Sequence, residues 1–159
     1  MSGRNLTLTF CLVSAWTLAS GCSYQPTQTA QPPAKVISIA TKYALQMVGT
    51  PYRYGGNTPR GFDCSGLIHY SYARAGVTVP RTTSQQRKYS RPVARKDIQI
   101  GDLLFFNQSG KRWSHVGLYI SDNRFVHAPS TGKTVHVASL TSRYWRRHFV
   151  GARRFDLDR

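Results

Sequence analysis

The apolar residues change their period part-way along this chain, and that change limits the folds open to it. In "AKVISIATKYALQMV", residues 34–48, they fall at 36, 37, 40, 44, 47 and 48, the spacing of one helical face. In "DCSGLIHYSYARAG" they fall at 64, 67, 68, 72 and 75, again helical, with Asp63 at the N-cap position and Gly76 where a helix would stop. After about residue 101 the period becomes that of strands, in "DLLFF", "HVGLYI", "RFVHA", "TVHVA" and "FVGARRF". A Gly- and Pro-rich loop, "GTPYRYGGNTPRG", separates the two helices. A long connection with short local structure, "VTVPRTTSQQRKYSRPVARKDIQIG", leads to the strands. Helices first and a run of short strands second predict an α+β fold with an antiparallel sheet.

The N-terminus has a different character. "MSGRNLTLTFCLVSAWTLASGC" has a basic start at Arg4, an apolar stretch from Leu6 to Ala19 and then small residues. That is the layout of a secretory signal, too short and too early for a structural transmembrane helix. Its end, "LASGC", resembles a bacterial lipobox, in which Cys22 becomes the acylated first residue of the mature protein; an ordinary signal peptide cleaved nearby is the alternative. The expected plan is a signal over residues 1–21, a tether over 22–33 and one domain over 34–159. The tether begins at lipidated Cys22 and contains the polar, uncharged, Pro-rich "SYQPTQTAQPP". Ser23 after that cysteine, by resemblance to lipoprotein sorting in Gram-negative bacteria, points to the outer membrane, facing the periplasm, with Cys22 carrying the palmitate-type anchor. The three cysteines are Cys11, Cys22 and Cys64. The first leaves with the signal and the second is acylated. Cys64 is then the single free thiol in an oxidising compartment, with no partner for an internal disulfide.

Lys and Arg number 22 against 6 acids, all Asp, for a net charge of +16. Such a charge attracts polyanions, whether nucleic acid, anionic membrane or anionic cell wall. The export signal speaks against nucleic acid, and no recognition helix or stacking motif appears.

Cys64 falls in the first turn of the second helix, where free N–H groups and the helix dipole favour a thiolate. A cysteine nucleophile also needs a base within reach and a group to orient that base. His69 is five residues on. That turns the helix by about 500° and leaves the two side chains roughly 140° apart, so His69 reads as a surface residue. His115 and His127 flank a hairpin. A two-residue loop at Asp122-Asn123 would pair 118 with 127 and send the two histidines to opposite faces. A three-residue loop, Ser121 to Asn123, pairs 120 with 124 and 117 with 127 and makes them diagonal neighbours, about 7–8 Å apart at the backbone. The three-residue loop is the expectation, with Asn123 left-handed. It puts Val116, Leu118, Ile120 and Val126 on a core face. His115, Gly117, Tyr119, Phe125 and His127 take a site face, with Gly117 leaving room for the His127 ring. The proposal from the residues is Cys64 as nucleophile, His115 as base and His127 as its orienting partner. His136 reads as a solvent-side strand residue and His148 as a ring among cations. A Cys–His–His zinc site is the rival, but it lacks close ligand spacing and a fourth ligand.

In this order, "GTPYRYGG", "DCSGL", "VPRTTSQQ", "GDLLFF", "HVGLYI" and "FVHA" resemble the NlpC family of bacterial cell-wall cysteine peptidases, over about Lys35 to Phe155. The resemblance implies a papain-like fold whose nucleophile helix packs on a sheet carrying both histidines. It implies hydrolysis of amide bonds in peptidoglycan stem peptides, with no metal and no cofactor, by Cys64, His115 and His127. It also implies that Tyr52 lines the cleft and donates to the oxyanion alongside the Cys64 N–H. Asp63 and Ser65 match positions that contact substrate, although for Asp63 a plain N-cap role stands beside that one. Arg81 either holds a substrate carboxylate or pins a loop. The implied partners are stem peptides and, through the lipid, a membrane, with the chain acting as a monomer. Two scissile bonds stay open, D-glutamyl–diaminopimelate and the cross-link between stems. The rival reading is a non-catalytic envelope lipoprotein that binds peptidoglycan.

Overall fold

The computed structural model describes residues 32–108 and 110–157. The expected signal, lipidated Cys22 and nearly all of the tether lie outside the described residues. The first helix, α1, spans Pro33–Gln46 and so takes in the last tether residue. Proline suits a first helical position, because the N–H it lacks would have no partner there. Val36, Ala40, Thr41 and Ala44 are buried at helical spacing, and the chain leaves through Gly49 at φ 91°. Strands β1 (Asn57–Thr58) and β2 (Gly61–Phe62) make a small hairpin inside the Gly/Pro loop.

Helix α2 spans Cys64–Arg74 and packs on α1. Leu67, Ile68 and Tyr72 are buried, as their spacing requires. The long connection holds α3 (Thr83–Lys88), β3 (Ser90–Val93) and a 3-10 turn at Arg95–Asp97. The remaining strands are β4 (Leu103–Gln108), β5 (Lys111–Ser121), β6 (Arg124–His127), β7 (His136–Ser139) and β8 (Phe149–Phe155), with α4 (Arg143–His148) before the last. The large sheet runs β3-β8-β4-β5-β6-β7, and every neighbouring pair is antiparallel. This is the expected α+β architecture, with helices first and an antiparallel sheet second.

Both sheet faces are covered. Leu103, Phe105, Val116, Leu118 and Val126 pack with α1 and α2. Leu104, Phe106, Phe125 and Ala152 pack on the other side with Trp145 of α4 and Phe149. The unbroken apolar run "LLFF" follows from that double burial. The face expected to carry the site is thus covered as well, because α4 lays Trp145 over it. A bidentate ion pair ties the start of β4 to β8: Arg154 Nε and an Nη donate to the two oxygens of fully buried Asp102 at 2.6 and 2.8 Å.

The glycine of "DCSGL" has a steric reason. A Cβ on Gly66 would lie 2.0 Å from the Gly56 carbonyl oxygen and 2.9 Å from Asp63 Oδ1. The first turn of α2 is thus seated directly on the backbone of the preceding loop. At Gly76 a Cβ meets nothing within 4 Å, and only the φ of +83° opposes a side chain. Gly66→Ala is expected to cost about 1–3 kcal/mol through the clash, more than the roughly 1 kcal/mol of strain expected for Gly76→Ala. Urea unfolding checks this ranking as a larger fall in midpoint for Gly66→Ala at unchanged slope.

Candidate active site

Cys64 opens α2 with Asp63 as its N-cap. The Gly66 N–H donates to Asp63 Oδ1 at 2.6 Å. The sulfur lies 3.6 Å from Thr83 Oγ1 on α3, and the backbone N–H of Val116 on β5 also reaches it. Pairing between β5 and β6 stops at Leu118–Val126, so the edge of β5 is open beside Val116. The nucleophile helix meets the sheet there, one residue from His115. Cys64 is partly exposed, but protein surrounds most of it. Desolvation is the largest influence and pushes its thiol pKa up. The Thr83 hydroxyl and Val116 N–H pull it down by less, and the Asp63 charge adds to the rise.

His115 and His127 are brought together by a bulge. The loop between β5 and β6 is the two-residue Asp122-Asn123 turn, both residues left-handed at φ 47° and 57°, as a type I′ turn requires. The expected three-residue loop is therefore wrong. Ser121 pairs with Arg124, but Tyr119 pairs with Phe125 and Leu118 with Val126. Ile120 is the extra residue on β5, and beyond it the register is the one the three-residue loop was expected to impose. The histidines consequently share a face, with His115 Nε2 2.9 Å from His127 Nδ1. The space at Gly117 is taken by a different ring than expected, since a Cβ there would lie 2.5 Å from Phe125 Cδ2.

Trp145 stacks on the His115 ring at 5.8 Å and meets the His127 ring edge-on at 4.8 Å between centroids. Enclosed in this way, both histidines are held neutral. Desolvation, with His136 adding to it, lowers the pKa of His115 to about 3. Desolvation followed by the other two histidines lowers that of His127 as well. A raised thiol and lowered imidazoles favour the uncharged pair over a preformed thiolate–imidazolium ion pair.

Asp63, Ser65 and Arg81 contact one another. Arg81 donates to both Asp63 oxygens at 2.9 and 2.8 Å, to Ser65 Oγ at 3.1 Å and to the Gly56 carbonyl at 3.1 Å. Asp63 also accepts from Gly55 N–H at 3.0 Å and Ser65 Oγ at 3.3 Å. Its carboxylate is therefore engaged as cap and anchor, and Arg81, which also lines the cleft, ties Asp63 to the Gly56 loop. The cleft above Cys64, about 490 Å³, is lined by Tyr52, Tyr54, Arg81, Thr83 and Ser114 among others. Burial first, then the Cys64 and Asp63 charges, raise the Tyr52 pKa, so its phenol keeps the proton it would donate. A larger hollow of about 700 Å³ lies beside α1 and Ile98–Ile100, lined by none of these residues.

Three side chains were not anticipated here. Thr83 and Ser114 belong to the cleft, and His136 Nε2 lies 3.2 Å from His127 Nε2. "RTTSQQ" carries a Thr–x–x–Gln helix start at Thr82, but no local signal says that Thr83 faces a thiol. His136 stands opposite His127 through the pairing of "FVH" with "HVA", a register that alternation alone does not specify. His69 Nδ1–H donates to the Val79 carbonyl oxygen at 2.7 Å, and His148 stacks on Tyr144 away from the cleft. Among the described residues no group of three or more His, Cys, Asp or Glu is arranged to hold a metal ion, and no helix is long and apolar enough to cross a membrane.

Residues 49–154 match the NlpC/P60 family. The chain is 38% identical over 152 residues to a probable endopeptidase NlpC of Escherichia coli, covering 91% of this chain and 98% of that protein. It is 40% identical over 125 residues to the murein DD-endopeptidase MepH of the same organism, covering 76% of this chain but only 46% of MepH. The chain thus spans about half the length of that relative. A crystal structure of an NLP/P60 family protein from Staphylococcus aureus, described as similar to lipoprotein, superposes with a TM-score of 0.69 at 36% identity, over 82% of this chain and 44% of that one.

The electrostatics of Cys64 predict its reactivity. With the thiol pKa raised, the thiolate fraction grows across the whole accessible pH range. The rate of alkylation by iodoacetamide is therefore expected to climb between about pH 6 and pH 9 without a plateau. A flat rate across that interval would indicate a preformed ion pair.

Proposed function

The chain belongs to the NlpC/P60 family, and from that premise we propose that it is a peptidoglycan endopeptidase that cuts stem-peptide amide bonds through Cys64, His115 and His127. The observation that carries the reading is the His115–His127 hydrogen bond of 2.9 Å beside a thiol at a helix N-terminus. His115 takes the thiol proton as Cys64 attacks the substrate carbonyl. Charge develops on the carbonyl oxygen and is met by two donors. One is the Cys64 N–H, which as the first in α2 has no acceptor within the helix; the other is the Tyr52 hydroxyl. The proton on His115 then passes to the departing amine, which leaves a thioester. Water hydrolyses that thioester with His115 again as base, releasing the new carboxylic acid and restoring the thiol. His127 keeps the His115 ring in place throughout.

Arg81, Asp63 and Ser65 form the wall that seats the nucleophile turn. The charge of +16 raises the local concentration of an anionic polymer. Anchoring at Cys22 would hold the domain at the outer membrane, facing the periplasmic wall. Cys22→Ser is expected to abolish incorporation of labelled palmitate.

Purified sacculi test the activity. The domain is expected to release muropeptides, and Cys64→Ala to release none. His115→Ala is expected to slow release by about 10²–10⁴-fold, the range of general acid–base catalysis. Mass spectrometry of the fragments distinguishes the D-glutamyl–diaminopimelate bond from the stem cross-link. Equal release by wild type and Cys64→Ala would leave the non-catalytic, wall-binding reading in its place.

A further inference from the structure

The chain of rings does not end at His127. His127 Nε2 is 3.2 Å from His136 Nε2 on β7, and His136 Nδ1 is 2.9 Å from the carbonyl oxygen of Thr134. Proton positions in such a row follow from the network, and this network has one fixed point. A carbonyl oxygen only accepts, so His136 Nδ1 must carry a hydrogen. A neutral imidazole has a single N–H, which leaves His136 Nε2 with a lone pair. His127 Nε2 must then be the donor across the 3.2 Å contact, and His127 Nδ1 the acceptor. His115 Nε2 therefore donates to His127 Nδ1 at 2.9 Å. The remaining nitrogen, His115 Nδ1, has its lone pair free.

We propose that His136 is a positioning residue, whose hydrogen bond to the Thr134 carbonyl sets the tautomer of all three rings and leaves the basic nitrogen of His115 available to the Cys64 thiol. Each hydrogen bond runs in one direction, from His115 through His127 and His136 to Thr134. Reversing any link turns the rest. If His127 were protonated on Nδ1 it would donate to His115 Nε2, moving the His115 proton to Nδ1. His115 would then have no lone pair to offer the thiol, and proton transfer would have no acceptor. The fixed point lies in the backbone, because Thr134 sits where β6 returns toward β7 and neighbouring Val135 donates its N–H to the Thr50 carbonyl at 2.8 Å. His136 is half-buried, at the edge of a pocket of about 430 Å³ that also includes Lys133, Ser130 and Tyr144. It can thus be changed with little disturbance to either apolar cluster.

Substitutions at 136 separate hydrogen-bond direction from shape. Glutamine both donates to Thr134 and accepts from His127, so His136→Gln keeps the direction. Lysine only donates, so His136→Lys opposes it. Phenylalanine fills the space and offers neither. The inference rests on the peptidase reading for its consequence but not for its test, because ring tautomers are measured in the free protein. Long-range ¹H–¹⁵N correlation spectra of wild type are expected to show the proton on Nε2 of His115 and His127 and on Nδ1 of His136. In His136→Lys both remaining rings are expected to switch. On sacculi, His136→Lys is expected to lower kcat by about 10- to 100-fold at unchanged KM, less than the roughly 10²–10⁴-fold set by outright loss of a general base. His136→Gln is expected to recover most of that loss, and His136→Phe to fall between them.

A wild-type His115 protonated on Nδ1 would overturn the proposal, even if His136→Lys did not fold. So would a folded His136→Lys with unswitched tautomers, or equal kcat for the Lys and Gln variants. The expected tautomers in a wild type without activity on sacculi would uphold this inference and overturn the peptidase reading.

Discussion

The residue that β5 carries in excess, Ile120, decides where the histidines of this protein point. Between Tyr119–Phe125 and Ser121–Arg124 the strand has one residue that β6 does not match. A strand alternates sides at every step, so one extra residue transfers everything beyond it to the opposite face. Without the bulge, the type I′ turn at Asp122-Asn123 would send His115 and His127 to opposite sides of the sheet. With it, they meet at 2.9 Å, Val116 and Leu118 go to the helical side, and Phe125 closes over Gly117. The order of the core and the geometry of the histidines are fixed by the same insertion.

The nucleophile end depends on crowding of backbone rather than on register. Gly66 backs onto the Gly56 carbonyl, and Gly56 in turn onto the Gly61 carbonyl, where a Cβ would lie 2.3 Å away. Arg81 clamps the same loop through Asp63, Ser65 and Gly56. The clamp also alters the electrostatics of the sulfur. An Asp63 carboxylate beside Cys64 raises the thiol pKa, opposing the helix N-terminus. Burial of the thiol and both rings then leaves a site at rest in its neutral form. Proton transfer from sulfur to imidazole belongs to the attack itself.

Some of this was legible before any coordinates. The helical spacing over 34–48 and 64–75 and the alternation from residue 102 onward placed α1, α2 and the main strands within a few residues, because each element buries one periodic face. Asp63 as an N-cap was equally local. The elements that escaped were short ones. α3, β3 and α4 span four to six residues each, and no apolar period runs through them. Missing α4 meant missing Trp145, and with it the enclosure that keeps His115 and His127 uncharged. His136 was set aside as a strand residue facing solvent, since alternation says which side a residue takes and nothing of what lies across from it.

Residue chemistry and spacing by themselves determined the fold class and the helix that carries Cys64, and they nominated His115 and His127 as its partners. The first two depend on neighbours within one or two turns, whose influence is written into the local pattern. The loop at Asp122-Asn123, the bulge at Ile120, the Arg81–Asp63 clamp and the row of rings ending at Thr134 were decided only by the tertiary structure. Each balances a local preference against packing from residues distant in sequence. The type I′ turn and the buried face of β5 call for registers one residue apart, and only the assembled sheet, by admitting a bulge, meets both.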